Sequence, residues 1–290
     1  MDKQTIYLQA IQEIYPDLVI RSAHFHNSEG QYSDVLVINN ETIFRFPRYP
    51  DGIESILREV HILSQIRGYL TIPIPDPIYT SHDTIKVGKV FMGYRMLPGE
   101  PLWKETLHSL DDEIQQRLAT QLAGFLRELH SIPTQQLGPD LPILDGPETW
   151  ATLYAEIRQH LFPMMRPDAR EWVANHFETY LNTTHLHAFQ PALRHGDFGT
   201  CNILYDRVTQ AVGGVIDFGF AGIGDPALDI AAISGYGEPF MVRFSYTYPE
   251  TGFMAERARF YKGTYALEEA LHGFKKGDKH AFESGMASYI

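Results

Sequence analysis

Three oxygen-bearing side chains, arranged around two short apolar runs, constrain the fold more than any other feature of this sequence. The letters HGDFGTCN contain Asp197 and Asn202, five positions apart, and the later letters IDFG contain Asp217. Short β-rich runs at about Ile203–Tyr205 and Gly214–Phe218 predict a hairpin that returns Asp217 to the other two side chains. Phosphoryl transfer needs a carboxylate that accepts a hydroxyl proton, together with hard oxygen ligands for Mg²⁺. The spacing therefore favours a kinase-type reaction.

The composition argues against some kinds of binding partner and some cellular compartments. The 290 residues include 36 acidic and 24 basic side chains, for a formal net charge of −12. Such a chain is poorly suited to nucleic acid or to an anionic membrane, and it tolerates a cationic substrate. The single cysteine, Cys201, excludes an intrachain disulfide and favours a reducing compartment. We find no signal peptide and no run of about 20 apolar residues, so we expect a cytoplasmic monomer.

The secondary structure that the sequence predicts changes from mainly β to mainly helical near residue 97. Before it, Val35–Ile38 and Thr42–Phe46 are β-rich runs joined by a tight turn, and an amphipathic helix begins near Asp51. Beyond Pro98 the apolar periodicity becomes mainly helical. We predict an α+β fold with a β-rich lobe at residues 1–97, which carries one key helix, and a larger helical lobe at residues 98–290.

The pattern H-G-D-x-x-x-x-N followed by I-D-F-G resembles the catalytic and metal-binding segments of the aminoglycoside phosphotransferase family, which is related to choline kinase and to protein kinases. The resemblance spans nearly the whole chain and is closest to the aminoglycoside 2''-phosphotransferases. It implies a protein-kinase-like two-lobe fold, with ATP or GTP as phosphoryl donor and Mg²⁺ as cofactor. It also implies that Asp197 is the catalytic base, that Asn202 and Asp217 hold the metal, and that His195 braces the loop.

A predicted ion pair in the first lobe, between Arg45 and Glu59, resembles a pair of this family but has arginine in place of the usual lysine. Glu59 lies beside the apolar stripe of the predicted helix, where a carboxylate needs a partner. Arg45 alternates with Phe44 and Phe46, so it lies on the opposite face of its strand. The resemblance implies that the pair positions the α- and β-phosphates, although lysine is usual where this chain has Arg45.

Two further segments are expected to contact the nucleotide. The residues Ser28, Gly30 and Ser33 lie at the right distance before Arg45 for a phosphate loop, although this segment has only one glycine. The family resemblance places the link between the lobes at Phe91–Leu97. Backbone atoms of Arg95 and Leu97 would then bind the purine edge, and Tyr94 would stand behind it and favour guanine.

The acceptor pocket is expected in the second lobe. Glu238, Glu268 and Glu269 are candidate partners for substrate ammonium groups. An aromatic set in the same region forms either core, as aromatics at such spacing more often do, or a pocket wall for sugar rings or a macrolide: Phe240, Phe244, Tyr246, Tyr248 and Phe260. The readings left open are an aminoglycoside kinase of the antibiotic-resistance type, a kinase for a macrolide or another metabolite, and a nucleotide-binding pseudoenzyme.

Overall fold

The computed structural model describes residues 2–26, 32–81, 85–138 and 141–290. Its strands are β1 (Ala23–Phe25), β2 (Ser33–Ile38), β3 (Thr42–Pro47), β4 (Tyr79–Ser81), β5 (Phe91–Arg95), β6 (Glu100–Pro101), β7 (Ala192–Arg194), β8 (Ile203–Asp206), β9 (Ala211–Val215) and β10 (Gly222–Gly224). Its α-helices are α1 (Lys3–Ile14), α2 (Asp51–Ile66), α3 (Lys104–Ser109), α4 (Asp112–His130), α5 (Pro147–His160), α6 (Pro167–Asn182), α7 (Ala227–Ile233), α8 (Glu238–Thr247), α9 (Ala255–Lys276) and α10 (Lys279–Met286).

The chain forms two compact units that do not follow chain order. The first unit contains Met1–Ile132 and His195–Ala221, and the second contains Pro133–Arg194 and Gly222–Ile290. The first unit therefore includes the whole segment from Asp197 to Asp217. The lobe boundary expected at residues 97–98 lies inside the first unit and stays a prediction.

An antiparallel five-stranded sheet, in the order β1-β2-β3-β5-β4, forms the base of the first unit. The turn between β2 and β3 places Asn39 and Asn40 at φ angles of 55° and 57°. Two consecutive residues with positive φ form the type I′ turn that matches the twist of a hairpin, and asparagine tolerates this conformation well. The predicted hairpin is confirmed.

Helix α1 is held on this sheet by a buried carboxylate. Asp34 on β2 accepts hydrogen bonds from the Tyr7 hydroxyl at 2.6 Å and from Arg48 Nε at 2.7 Å, and it pairs with Lys3 at 2.8 Å. The Tyr7 ring also stacks on Phe46, with centroids 3.9 Å apart. Burial by itself would raise the pKa of Asp34, but these three partners lower it below its ordinary value of 3.8.

Helix α2 carries the apolar stripe that the sequence predicts, with Ile56 and Leu63 buried beside Glu59. The helix begins at Asp51, as the sequence predicts, and an acid at the first helical residue suits the helix dipole. The residue before it, Pro50, provides no side-chain hydrogen bond to cap the helix.

A second sheet of the first unit, in the order β6-β8-β9, contains the predicted hairpin. A side chain at Gly213 would overlap the carbonyl oxygen of Pro98, so the hairpin packs directly on the segment that follows β5. At its tip, Asp206 accepts a hydrogen bond from the Val208 amide at 2.9 Å, and Val208 is 92% exposed. The hairpin joins Asn202 at its start to Asp217 just beyond its end.

The second unit is mainly helical and has an aromatic core. The rings of Tyr180 on α6 and Phe260 on α9 stack with centroids 3.6 Å apart. Beside them, the buried carboxylate of Asp225 is bound by Arg257 at 2.6 Å and by the Tyr261 hydroxyl at 2.7 Å. Among the residues that the structure describes, no helix combines the length and the apolar character that crossing a membrane requires.

Candidate active site

The loop after β7 is held by a buried histidine. The Nε2 atom of His195 contacts the carbonyl oxygen of Ile216 at 3.0 Å, and the Asp197 amide donates to His195 Nδ1 at 3.2 Å. A donor at Nε2 and an acceptor at Nδ1 define one tautomer of the neutral ring. Gly196, between the two residues, has φ 85°, which favours glycine. His195 therefore ties the loop to the end of β9, as the predicted brace requires.

Asn202 orients Asp197. Its Nδ2 donates to the Asp197 carbonyl oxygen at 2.9 Å and to the Asp197 carboxylate oxygen Oδ2 at 2.8 Å. Asn202 is only 5% exposed, so this geometry is fixed by packing. Because its nitrogen is occupied, the oxygen of the Asn202 side chain is the atom that can serve as a ligand.

Asp217 follows β9 in a strained conformation. Its backbone angles, φ 63° and ψ 68°, lie in the left-handed region that few residues other than glycine adopt. Such a conformation costs about 1–3 kcal/mol and persists only where the surroundings enforce it. The carboxylate is 40% exposed, and its Oδ1 lies 2.6 Å from Arg45 Nη2.

Arg45 is shared between two carboxylates. Its Nη1 lies 2.6 Å from Glu59 Oε1, and the same Glu59 oxygen accepts the Phe218 amide at 3.0 Å. Burial raises the pKa of Glu59, and the charge of Arg45 opposes that rise. Burial alone would lower the pKa of Arg45, but Asp217 and Glu59 raise it instead. The guanidinium thus stays charged and links β3 and α2 to the loop that contains Asp217.

The expected purine-binding residues lie at the end of β5 and just beyond it. Tyr94 is 4% exposed, and burial raises the pKa of its hydroxyl. Arg95 is exposed and pairs with Thr42 across the sheet. Leu97 lies against β9, so closely that a side chain at Gly214 would come within 2.6 Å of it. Their roles toward a purine stay predictions.

The expected phosphate loop is described only at its end. Ser28 and Gly30 lie outside the described residues. Ser33 begins β2 opposite Pro47 of β3, which places it two residues from Arg45 along the neighbouring strand.

Two contacts that sequence reasoning missed also hold the loop after β9. The Ser55 hydroxyl donates to the Gly219 carbonyl oxygen at 2.7 Å, and the Tyr32 ring meets Phe220 edge-on at 5.2 Å. Ser55 lies one helical turn before Glu59, and this spacing was the signal that could have found it.

The three acidic acceptor candidates belong to the second unit. Glu238 begins α8 and is exposed, and Glu269 is partly buried on α9. Glu268 accepts a hydrogen bond from Thr264 at 2.5 Å. Glu268 is itself exposed on α9.

The aromatic set expected beside these acids lies mostly in the core. Phe240, Phe244, Tyr248 and Phe260 are each at most 5% exposed, whereas Tyr246 is 78% exposed. Residues that are so deeply buried form core, the alternative that aromatic side chains at such spacing favour, and do not line an open acceptor pocket. Apolar spacing on a helix identifies a buried face without saying what covers it.

A buried ion pair that sequence reasoning missed supports β7, the strand that ends immediately before His195. Arg194 binds Asp145 through two nitrogens, one of them at 2.9 Å, and both side chains are less than 10% exposed. Asp145 has φ 67° and also accepts the Asp225 amide at 3.1 Å. Asp145 and Arg194 are far apart in the sequence, and neither stands in a motif that predicts the other.

Known proteins resemble this chain over most of its length. A model of the phosphotransferase enzyme family (APH) matches residues 27–266. Viomycin phosphotransferase from Streptomyces vinaceus is 29% identical over 268 residues, which cover 90% of this chain and 91% of that protein.

Solved structures of phosphotransferases also resemble this chain over most of its length. The GDP and kanamycin complex of the phosphotransferase APH(2'')-IIIa is 25% identical, with a TM-score of 0.89 over 97% of this chain and 96% of that one. A macrolide 2'-phosphotransferase type I has 18% identity and a TM-score of 0.77 over 99% and 97% of the two chains. These matches confirm the predicted fold class, α+β and protein-kinase-like.

Proposed function

This chain belongs to the phosphotransferase enzyme family, and we propose that the hydroxyl group it phosphorylates is carried by a cationic antibiotic of the aminoglycoside type. The predicted enzyme class, a phosphotransferase with an alcohol group as acceptor, is confirmed by the family. The donor in our proposal is ATP or GTP. The single cysteine suits a reducing compartment, and we place the activity in the cytoplasm.

The observation that carries the proposal is the hydrogen bond from Asn202 to Asp197, with Asp217 held by Arg45 in the same unit. Asp197 accepts the proton of the acceptor hydroxyl while the hydroxyl oxygen attacks the γ-phosphorus. The nucleoside diphosphate leaves, and the phosphate ester remains on the acceptor. Asn202 fixes the direction of the Asp197 carboxylate, so the base is oriented before the acceptor arrives.

The donor atoms fit Mg²⁺. Asn202 offers an amide oxygen and Asp217 a partly exposed carboxylate, and Mg²⁺ prefers oxygen ligands. Within the described part of the chain, no group of three or more His, Cys, Asp and Glu side chains could hold a metal. We propose that Asn202 and Asp217 bind Mg²⁺ together with phosphate oxygens, as is usual for this ion. When bound, the ion neutralises charge that develops on the phosphates.

Charge supports a cationic acceptor. The chain has a net charge of −12, and Glu238, Glu268 and Glu269 are our candidate contacts for substrate ammonium groups. Kanamycin is bound by one structural neighbour, and viomycin is named in the relative from Streptomyces. Four of the five aromatic candidates are buried in the core, so they support neither a sugar nor a macrolide acceptor.

The test is release of nucleoside diphosphate from ATP and GTP with Mg²⁺, measured with kanamycin, viomycin and a macrolide in turn. We expect turnover that kanamycin or viomycin stimulates, and a loss of about 10²–10⁴-fold in Asp197→Ala. The control is Glu113→Gln, which changes an acid that is 87% exposed on α4 and should leave turnover unchanged. Tight nucleotide binding without turnover on any acceptor would contradict the proposal and favour a pseudoenzyme.

A further inference from the structure

Four consecutive residues after β9 each contact a different side chain from the N-terminal part of the same unit. The contacts are Asp217 with Arg45, the Phe218 amide with Glu59, the Gly219 carbonyl with Ser55, and the Phe220 ring with Tyr32. A segment held at each residue in turn has little freedom to move, which suits the strained backbone of Asp217.

Among the three polar contacts, the one made by Ser55 has no role in the proposed chemistry. Its hydroxyl donates to the Gly219 carbonyl oxygen at 2.7 Å, which is ideal for an O–H donor. The Nη2 of Arg58 lies 3.5 Å from the same oxygen, too far for a strong hydrogen bond. An added Cβ on Gly219 would lie 3.3 Å from Asp217 Oδ1 and 3.6 Å from Ser55 Oγ, so the three residues pack closely.

We infer that Ser55 is a positioning residue for Asp217, acting through the Gly219 carbonyl. This inference rests on the proposed function, in which Asp217 is a metal ligand. The hydrogen bond fixes the peptide two residues beyond Asp217 and so opposes relaxation of its left-handed backbone. Arg45 and Glu59 hold the same loop by charge, whereas Ser55 holds it by a neutral bond that the approach of a metal does not weaken.

The test compares Ser55→Ala with a matched change on the same helix. Ser64 also donates its hydroxyl to a carbonyl, that of His61 at 2.6 Å, but this bond stays within α2 and far along the helix from the loop. Three quantities are measured in Ser55→Ala, Ser55→Thr and Ser64→Ala. They are the Mg²⁺ concentration for half-maximal turnover, the Michaelis constant for the acceptor, and Mn²⁺ affinity by electron paramagnetic resonance with a non-hydrolysable GTP analogue.

We expect Ser55→Ala to raise the half-saturating Mg²⁺ concentration and to weaken Mn²⁺ binding by about fivefold, the ratio that one ordinary hydrogen bond supplies. The Michaelis constant for the acceptor should stay unchanged, Ser55→Thr should restore metal affinity, and Ser64→Ala should match the parent protein. A purely structural role would instead lower the melting temperature without changing metal affinity.

Equal metal affinity in Ser55→Ala and Ser64→Ala would overturn the inference. If Ser55→Ala does not fold, Ser55→Cys replaces it, because a thiol keeps the shape but donates weakly, and the same comparison decides. If no acceptor supports turnover, the proposed function fails, whereas Mn²⁺ binding still tests the role of Ser55.

Discussion

Replacing Arg45 with methionine would leave two carboxylates without the cation they share. Glu59 determines the cost, because its side chain is 1% exposed whereas that of Asp217 is 40% exposed and remains screened by water. Breaking a buried ion pair by removing one partner costs about 3–5 kcal/mol. Glu59 can limit this cost by taking up a proton. In the parent, burial already raises the pKa of Glu59 to about 7, and the loss of the Arg45 charge raises it further. The variant must therefore hold a proton on Glu59 above pH 7, at a cost of about 1.4 kcal/mol for each pH unit. We expect Arg45→Met to lower the free energy of unfolding by about 3 kcal/mol at pH 9.

The assay is urea unfolding followed by circular dichroism, repeated at several pH values. Protonation becomes cheaper by about 1.4 kcal/mol for each unit that the pH falls toward the parent pKa of about 7. The stability difference between Arg45→Met and the parent should therefore shrink by about 2 kcal/mol between pH 9 and pH 7.5. The double variant Arg45→Met/Glu59→Gln should recover most of the loss at pH 9, since its glutamine is uncharged and still accepts the Phe218 amide.

The control removes an arginine from an exposed pair. Arg207 and Glu100 lie 3.5 Å apart, and both side chains are more than 70% exposed. Arg207→Met should therefore change the free energy of unfolding by less than about 0.5 kcal/mol. The reasoning would be refuted if Arg45→Met cost less than about 1 kcal/mol at pH 9, or if its cost did not vary with pH.

Three further predictions concern other parts of the chain. Asp34→Asn should lower the free energy of unfolding by about 1–3 kcal/mol at pH 7. Because the folded-state pKa of Asp34 lies below 3.8, this difference should vanish as the pH falls through that lower value, as urea unfolding at pH 7 and pH 2 will show. Tyr94→Met should raise kcat/KM for ATP relative to GTP, measured by diphosphate release, and an unchanged ratio would contradict a role in purine choice. Gly213→Ala should destabilise the first unit by more than about 3 kcal/mol because its methyl group would meet Pro98. Gly124→Ala, in an open position on α4, should stabilise the protein by about 0.5–1 kcal/mol, and thermal melting compares the two.

Local features of this fold could be predicted from the sequence because their causes are local. The turn at Asn39-Asn40 depends on two adjacent residues that tolerate positive φ. The helix α2 and its buried Glu59 follow from apolar spacing within sixteen residues. The candidate site also follows from short spacings, since Asp197 and Asn202 lie in one loop and a hairpin returns to Asp217.

Other features depend on partners that are distant in the sequence. Ser55 and Gly219 are 164 positions apart, and nothing in the pattern around a serine says which remote carbonyl it will meet. The contact of Tyr7 with Asp34 has the same cause, because it arises only when α1 packs on the sheet. The sequence also does not show whether an aromatic side chain is buried. The helical spacing of Phe244 fits a pocket wall as well as the core, and the side chain lies in the core.

The exposed tip of the β8–β9 hairpin offers a place to attach a spectroscopic reporter. Val208 is 92% exposed, and loop tips of this kind tolerate insertions and labels well. Strand β9 allows no such change, because Gly213 and Gly214 have no room for a larger side chain. A dye at position 208 would thus sit at one end of a hairpin whose other end bears Asn202 and Asp217, away from the groups that carry the chemistry.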